Sequence, residues 1–444
     1  MRTKSMYVKN GELYLGNYRL SELAERYQTP LYVYDELGVL DKIKIFKGNF
    51  KSSIFECEIV YASKAFIAPH LCKILNEHGL GIDAVSAGDL YLINKSNFPM
   101  NRVVLHGNNK SEEELLMAID LNLEYIIVDN YTELVRLDKL ASLKKVKVNT
   151  LLRLNPGIHA DTHAYIETSL LSSKFGESIY DEEVLNKIVN VYQNSKYLHL
   201  DGFHAHIGSQ INNPKSFVAE AKTMISFINR FESKYQMKIR TLNLGGGFGI
   251  KYRDEDSEID LEFILKEVIK TIENGVKKNN LSIKKLMIEP GRSIIGDSGF
   301  TLYKCGGLKT SFGGKKYLFV DGGMADNIRP ALYQAKYTVE VANRIVEVTN
   351  KDDEYDYSLI NFYDVVGKCC ESGDIVAENV KISEVEKGDI IIVYATGAYC
   401  YSMSMNYNGL TRGAVIFVNG AKITEAIRKQ SYEDLVSTCN FEVE

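Results

Sequence analysis

The chain has 444 residues, of which 45% are hydrophobic and 25% are charged. These values are ordinary for a folded protein and exclude a disordered chain, while a net charge of −5 excludes the basic surface that nucleic-acid binding requires. No apolar run approaches the roughly 18 residues of a membrane-spanning helix, and the amino-terminal stretch lacks the apolar segment of a secretion signal. We therefore expect a cytoplasmic protein without a nucleic-acid or membrane partner.

The cysteines indicate reduced thiols. There are seven, an odd number, and no pair has the CxxC spacing of a zinc or redox site. We therefore expect neither disulfides nor a metal site.

The first 35 residues are predicted to form two short strands, Glu12–Tyr18 and Leu31–Tyr34, on either side of a helix, Ser21–Tyr27. This segment is too short to build a core alone. We expect its strands to complete a sheet formed by a later part of the chain.

Between residues 36 and 296, short apolar runs alternate with segments of helical period. The predicted strands are Cys57–Tyr61, Gly81–Val85, Val103–Leu105, Tyr125–Val128, Val148–Leu154, Leu198–His204, Thr241–Leu244 and Leu286–Glu289. The predicted helices include Ala65–His78, Glu112–Leu121, Asp181–Asn194, Ser216–Tyr235 and Leu261–Lys278. Eight strands alternating with helices predict a parallel (β/α)₈ TIM barrel, and a doubly wound open sheet is the alternative.

After residue 297 the pattern changes to short alternating strands between glycine-rich and polar turns. The predicted strands are Tyr317–Val320, Thr338–Val341, Asp374–Glu378, Ile390–Tyr394 and Gly413–Val418. This pattern is typical of an antiparallel β-sandwich or β-barrel domain. We predict two domains: the barrel at 36–296, and a β-domain made of 1–35 and 297–444.

Polar residues recur where the predicted barrel strands end. They are Lys64, Asp83, His106, Asp129, Arg153, His204 and His206, the glycines Gly245, Gly246 and Gly247, and Glu289. Any one of them can be a polar group with a purely structural role. Eight strands with such residues at the same end indicate an active site, since TIM barrels carry theirs at the carboxyl ends of the strands.

Three of these features suit one cofactor. Lys64 can form a Schiff base, the Gly245–Gly247 loop can bind a phosphate through bare backbone N–H groups, and Glu289 can pair with a protonated ring nitrogen. Each also has a plainer interpretation, as a solvated loop lysine, a tight turn or an ion pair with Arg292. Together they are the contacts that pyridoxal 5′-phosphate requires.

Motifs along nearly the whole chain resemble those of the fold-type III pyridoxal-phosphate-dependent decarboxylases, whose barrel is alanine-racemase-like. The motifs are YASKA at 61–65, HIGSQ at 206–210, GGGFG at 245–249, EPGR at 289–292, CESGD at 370–374 and GAY at 397–399, followed by YNG at 407–409. The stretches Arg153–Gly157, Lys174–Gly176 and Asp326–Tyr333 resemble the members of this group that act on meso-2,6-diaminopimelate. Small departures are Phe66 after the lysine motif and Cys369 beside Cys370.

The resemblance implies roles for individual residues. In the barrel, Lys64 would be the Schiff-base lysine, His206 would stack on the cofactor ring, Ser209 and the glycine loop would hold the phosphate, and Glu289 would pair with the ring nitrogen. Arg292, Arg329 and Tyr333 would bind substrate carboxylate. Cys370, Glu371 and Tyr399 would complete the site from the other subunit of a homodimer, with Tyr399 also near the cofactor, and His159–Ser173 would form a lid.

The resulting expectation is an enzyme that decarboxylates meso-2,6-diaminopimelate to L-lysine and CO₂, the last step of lysine biosynthesis. The far end of this substrate carries a carboxylate and an ammonium, which suit Arg329, Tyr333 and Glu371. Either Cys370 or Lys64 would return a proton to the substrate carbon. The alternatives are a decarboxylase of a related basic or D-amino acid and, from another class, an inactive relative that binds a protein partner.

Overall fold

The computed structural model describes residues 1–158, 173–345 and 360–441. The chain divides into two compact units. One consists of Ile43–Ile250 and Ile259–Ser293, and we call it the barrel unit. The other consists of Met1–Lys42, Lys251–Glu258 and Ile294–Glu444, and we call it the β unit. No helix within the described ranges is both long enough and apolar enough to span a membrane.

The barrel unit contains a closed parallel barrel. Its eight strands are Glu56–Ala62, Gly81–Ala84, Val103–Leu105, Tyr125–Val128, Val148–Asn155, Leu198–Ala205, Thr241–Asn243 and Lys285–Ile288. Each strand pairs in parallel with the next, and the eighth pairs with the first, Ile288 lying opposite Ile59. The predicted TIM barrel is therefore confirmed, and the open sheet is excluded. A two-residue strand, Glu177–Ser178, adds to the fifth strand.

Helices follow the barrel strands. They are Pro69–Glu77, Ala87–Lys95, Glu112–Asp120, Tyr131–Lys144, Glu182–Asn194, Pro214–Tyr235, Leu261–Asn279 and Arg292–Ile295, and Glu36–Asn49 precedes the first strand. Polar side chains accept hydrogen bonds from the first turn of most of them, as Ser111 does in a capping box with Glu114. These caps fix where each helix begins, and so fix the lengths of the loops that carry the polar residues at the strand ends.

The interior of the barrel is filled by buried side chains from successive strands, including Val60, Val104, Ile127, Leu151 and Met287. Because alternate residues of a strand point inward, these side chains leave no open pore. The chemistry is consequently confined to the strand ends.

In the described part of the β unit, a second sheet contains nine strands. They are Leu31–Asp35, Gly299–Thr310, Lys316–Val320, Val339–Val341, Ile360–Val366, Ile375–Ser383, Ile390–Val393, Ala414–Asn419 and Lys422–Ile427. A small sheet of Met6–Lys9, Glu12–Leu15 and Tyr18–Arg19 and the helices Leu20–Tyr27, Arg329–Tyr333 and Tyr432–Val436 accompany it.

The amino-terminal strand Leu31–Asp35 pairs with two strands of this sheet, so the expectation that early strands complete the β-domain is confirmed for this strand. It is wrong for Glu12–Tyr18, which divides into Glu12–Leu15 and Tyr18–Arg19 and belongs to the separate small sheet. The sheet is not wholly antiparallel, because Leu31–Asp35 runs parallel to Ala414–Asn419, and Lys316–Val320 runs parallel to Ile360–Val366. The longest strand, Gly299–Thr310, was not predicted, since its glycines and polar residues hide its alternation. The predicted domain boundaries at 35/36 and 296/297 stay a prediction. The predicted lid, His159–Ser173, also stays a prediction, because residues 159–172 lie outside the described ranges.

Candidate active site

Lys64 lies in a short 3₁₀ turn, Ser63–Ala65, directly after the first barrel strand. Its side chain is exposed, whereas Ser63 and Ala65 are buried. The turn is fixed by two hydrogen bonds, from Ser63 Oγ to Asp89 Oδ2 at 3.2 Å and from Tyr61 Oη to the Phe66 carbonyl at 2.8 Å. The first strand therefore presents one amine at the carboxyl end of the barrel.

Glu289 follows the eighth barrel strand and is almost fully buried. Its Oε1 accepts hydrogen bonds from His106 Nε2 and Asn243 Nδ2, both at 2.7 Å, and its Oε2 accepts one from His204 Nε2 at 3.1 Å. The two imidazole rings meet edge to face, 4.7 Å between centroids. Residues from the third, sixth, seventh and eighth strands thus converge on one carboxylate.

This network sets the charge of Glu289. Burial opposes its ionisation, but the electrostatic interactions and hydrogen bonds that His106 and His204 make with it outweigh burial and hold the pKa of Glu289 well below its usual range. Burial lowers the pKa of His204 to about 4, so at neutral pH this ring is uncharged and donates through Nε2–H. Glu289 is accordingly an ionised carboxylate in a buried position.

The same three side chains place potential ligand atoms within 4.8 Å of one another, as a metal site would. Here, however, the imidazole nitrogens that face Glu289 are hydrogen-bond donors, and a donor N–H has no lone pair to offer a metal. Hydrogen bonding therefore accounts for the cluster.

Asp83, at the end of the second strand, is a further buried carboxyl group beside this network. Its Oδ1 is 3.9 Å from His106 Nε2, too far for a hydrogen bond, and neither carboxyl oxygen has a hydrogen-bond partner among the described residues. Burial raises the pKa of Asp83 to about 6, although the charges of His106 and Lys64 act against that rise. The positive charge of Lys64 therefore favours the ionised form of this carboxyl group.

The loop after the seventh strand requires glycine at all three positions. A Cβ on Gly246 would lie 2.1 Å from the Glu289 carbonyl oxygen, and one on Gly247 would lie 2.3 Å from that of Gly208. Gly245 and Gly247 also have φ values of +61° and +98°, which favour glycine. The loop is thus a side-chain-free backbone segment packed against the sixth and eighth strand ends.

His206 and Ser209, from the loop after the sixth strand, meet this glycine loop and Arg292. The Gly246 N–H donates to His206 Nδ1 at 3.3 Å, and Arg292 Nη2 donates to Ser209 Oγ at 2.9 Å. Burial lowers the pKa of His206 well below its usual range, so the ring is neutral. The predicted phosphate-binding residues are therefore neighbours, and a cation, Arg292, lies among them.

Arg153, in the fifth strand, is held between two neighbours. Its Cζ lies 4.6 Å from the centre of the Phe175 ring, and its Nη1 is 4.0 Å from Asp129 Oδ1. The strand-end polar residues named from the sequence thus include a positively charged group in addition to Lys64.

In the β unit, Arg329 begins a short helix and lies among four tyrosines. Its Cζ is 5.3 to 5.9 Å from the ring centres of Tyr252, Tyr333 and Tyr399, and its Nε donates to Tyr337 Oη at 2.9 Å. Arg329 is 8% exposed and forms no ion pair with a carboxylate in the part of the chain that the structure describes. A buried guanidinium without a counterion is costly unless an anion arrives from outside the chain.

Tyr399, whose ring lies near Arg329, has a strained backbone conformation. Its φ is +64°, a left-handed conformation that side chains larger than glycine rarely adopt. That conformation accompanies a ring placed 5.6 Å from the Arg329 guanidinium. Tyr333 and Tyr399, both named from the sequence, are therefore brought to the same arginine.

The two adjacent cysteines differ in exposure. Cys369 is buried, its N–H donates to Asp374 Oδ2 at 2.6 Å, and burial raises the pKa of its thiol to about 11. Cys370 is exposed, with its N–H bonded to Asn408 Oδ1 at 2.7 Å, and Glu371 is also exposed. Of the two thiols, Cys370 is the one that a substrate can reach.

Sequence reasoning missed three residues: Asn243, Tyr252 and Tyr337. Asn243 carried a signal, since it is a polar residue inside an otherwise apolar strand. The two tyrosines carried none, because nothing local distinguishes them among the 28 tyrosines of the chain.

Comparisons with known proteins identify the family to which this chain belongs. Residues 39–296 match the model of the pyridoxal-binding domain of pyridoxal-dependent decarboxylases. The diaminopimelate decarboxylase of Bacillus subtilis (strain 168) is 40% identical over 428 residues, 96% of this chain and 95% of that protein, and that of Staphylococcus aureus (strain COL) is 38% identical over 97% and 98%. The crystal structure of the M. jannaschii diaminopimelate decarboxylase with L-lysine superimposes with a TM-score of 0.88 at 29% identity, covering 98% of both chains.

The chain therefore belongs to the diaminopimelate decarboxylase family of pyridoxal-dependent decarboxylases. Its cofactor is pyridoxal 5′-phosphate, and the residues present fit that group. They offer an amine at Lys64, an ionised buried carboxylate at Glu289, and a glycine cradle beside Arg292 and Ser209.

Proposed function

We propose that this chain removes CO₂ from meso-2,6-diaminopimelate and yields L-lysine. Membership of the family supports the reaction type, and the observation that supports the substrate is Arg329. This guanidinium is nearly buried, is surrounded by tyrosines, and has no carboxylate partner within the described ranges. A substrate that carries a carboxylate far from the reacting centre supplies that partner, whereas a plain diamine end does not.

The barrel unit binds the cofactor. Lys64 would hold it covalently through Nζ, the Gly245–Gly247 loop and Ser209 would hold its phosphate, and His206 would bind its ring. Arg292 donates a hydrogen bond to Ser209 and so adds positive charge beside these residues, and it would also bind a substrate carboxylate, as expected from the sequence.

Glu289 tunes the chemistry. When bound, pyridoxal phosphate supplies the electron sink that accepts the electron pair released as CO₂ leaves. Because Glu289 remains ionised, it would stabilise a proton on the ring nitrogen of the bound cofactor, and that positive charge would strengthen the sink. His106, His204 and Asn243 keep this carboxylate ionised and fixed in orientation.

The β unit supplies the substrate contacts. Arg329 and Tyr333 bind the distal carboxylate, Glu371 binds the distal ammonium, and Tyr399 contributes to both substrate and cofactor binding. Cys370 or Lys64 would return a proton to the substrate carbon. The exposed thiol of Cys370 and the exposed amine of Lys64 are both accessible for this step.

Several expectations from the sequence enter the proposal at this point. We propose a homodimer in which Cys370 and Glu371 serve the site of the other subunit, a cytoplasmic location, and domain boundaries at 35/36 and 296/297. Tyr399, expected from the sequence to serve the other subunit's site, lies 5.6 Å from Arg329 of its own chain, so we assign Tyr399 and Arg329 to the same site.

The experiment is CO₂ release with added pyridoxal phosphate and meso-diaminopimelate, L-lysine, L-ornithine and L-arginine as parallel substrates. We expect release from meso-diaminopimelate alone, with lysine accumulating. Release from L-ornithine or L-arginine alone would refute the role given to Arg329. The absence of release from all four would refute the proposed reaction.

A further inference from the structure

Two tyrosines, Tyr337 and Tyr252, contact the Arg329 guanidinium in addition to the predicted substrate-binding residues. Its Nε is occupied by the Tyr337 hydroxyl at 2.9 Å, and neither Nη atom has a hydrogen-bond partner among the described residues. Tyr337 is 3% exposed, and its ring meets the Tyr252 ring edge to face, 5.5 Å between centroids at 84°. Tyr252 in turn lies under the guanidinium at 5.9 Å.

The Tyr337 hydroxyl has a defined direction. It accepts the proton of Arg329 Nε, so its own proton is available to Cys400 Sγ, 3.9 Å away. Cys400 Sγ lies 3.7 Å from the Ala398 carbonyl oxygen, which it can reach as a weak donor. Burial raises the pKa of Tyr337 well above its usual range, so the hydroxyl keeps its proton.

We infer that Tyr337 and Tyr252 are positioning residues that hold the Arg329 guanidinium so that only its two Nη groups receive the substrate carboxylate. This inference rests on the proposed function and deepens it. A guanidinium can bind a carboxylate side-on through Nε and one Nη, or end-on through both Nη groups. Occupation of Nε by Tyr337 removes the side-on mode, and the Tyr252 ring restricts rotation of the guanidinium plane.

The consequence is selectivity for the group at the distal end of the ligand. L-Lysine, the product, retains the distal carboxylate and ammonium of the substrate, whereas 1,5-diaminopentane lacks that carboxylate. A ligand with the carboxylate should therefore depend on Tyr337, and the diamine should not.

The test compares wild type with Tyr337→Phe, which keeps the ring and removes the hydroxyl. We expect KM for meso-diaminopimelate and the inhibition constant of L-lysine to rise by about tenfold each, as for loss of a hydrogen bond to a charged group. We expect kcat to stay within about twofold and the inhibition constant of 1,5-diaminopentane to be unchanged. Tyr394→Phe, which removes another buried hydroxyl of the β unit bonded to Glu340 at 2.6 Å, is the matched control.

Unchanged L-lysine binding in Tyr337→Phe would overturn the inference, as would equal weakening of L-lysine and 1,5-diaminopentane, which would indicate a structural role. If Tyr337→Phe does not fold, Tyr252→Leu provides the second test, and Tyr252→Phe should recover the L-lysine affinity that Tyr252→Leu loses. Failure of the proposed function is separately visible, because the wild type would then release no CO₂ from meso-diaminopimelate.

Discussion

His106 Nε2 and Glu289 Oε1 lie 2.7 Å apart, joining the third and eighth strand ends of the barrel. With Asn243 and His204, this contact gives a buried carboxylate three donors. A carboxylate so held stays ionised at a depth where burial alone would protonate it. The barrel thereby holds a fixed negative charge at the carboxyl ends of its strands, and we propose that this charge pairs with the ring nitrogen of the cofactor.

The first prediction concerns that charge. Glu289→Gln keeps the shape of the side chain and removes its charge, so we expect kcat to fall by about 100-fold, the scale on which one preorganised electrostatic group contributes. The measurement is steady-state CO₂ release at saturating pyridoxal phosphate, with bound cofactor measured by absorbance.

Glu220→Gln is the control for this experiment. Glu220 is also fully buried in the barrel unit, but neither of its oxygens has a hydrogen-bond partner among the described residues, and burial raises its pKa well above the usual range. It is therefore already neutral, and we expect kcat within about threefold of wild type. Equal losses in both variants would show that Glu289 contributes packing and not charge.

Prediction from sequence succeeded where the information is local. The predicted and observed bounds of the strands Val103–Leu105 and Tyr125–Val128 are the same, because polar turns on either side bound these buried apolar runs. The barrel rule then places Lys64 and Glu289 at one end of the sheet.

What the sequence does not supply is pairing between distant residues. That His106 and His204 share one carboxylate depends on the order in which the strands close the barrel. Tyr252 and Tyr337 are 85 positions apart, and only the fold of the β unit brings their rings to Arg329. The strand Gly299–Thr310 likewise depends on pairing with three other strands, since its own residues do not alternate clearly between polar and apolar.

The second prediction concerns the glycine loop. Gly246→Ala places a methyl group 2.1 Å from the Glu289 carbonyl oxygen. Only a movement of the backbone can relieve this contact. Because that movement displaces both the loop and Glu289, we expect at least about tenfold weaker binding of pyridoxal phosphate by equilibrium titration. Gly48→Ala is the control, since Gly48 lies in the helix Glu36–Asn49 with no atom within 4 Å of the added methyl group. Matching affinities in the two variants would contradict the proposed cradle.

The third prediction is a pH dependence of stability from the opposite end of the barrel. Lys285 Nζ bridges Glu58 Oε2 at 2.9 Å and Glu124 Oε1 at 2.5 Å, so two carboxyl groups share one cation. Burial, and then repulsion by Glu58, raise the pKa of Glu124 from 4.5 to about 7. The folded state therefore keeps a proton that the unfolded state loses above pH 4.5, and this contribution to stability falls as pH rises from 4.5 to 7.

The variant Glu124→Gln has no titratable group at this position, so this pH dependence is absent from it. Between pH 5 and 8 we expect the free energy of unfolding of wild type to fall by about 2–3 kcal/mol relative to the variant, measured by urea denaturation. Glu58→Gln should flatten the wild-type profile only in part, because it removes repulsion but not burial. Parallel profiles for wild type and Glu124→Gln would show that Glu124 does not hold the proton.

The last prediction tests whether active sites are shared between subunits. If Cys370 is the residue that returns the proton, Lys64→Ala and Cys370→Ala chains are each expected to be nearly inactive alone. If Cys370 serves the partner's site, a mixed dimer of the two contains one site with both residues intact, so equal mixing after dissociation should restore about a quarter of wild-type activity. Mixing Lys64→Ala with Glu289→Gln is the control, because both changes lie in the barrel unit and each site of that mixed dimer keeps one defect. Recovery in the first mixture alone establishes sharing; no recovery in either places Cys370 in the site of its own chain.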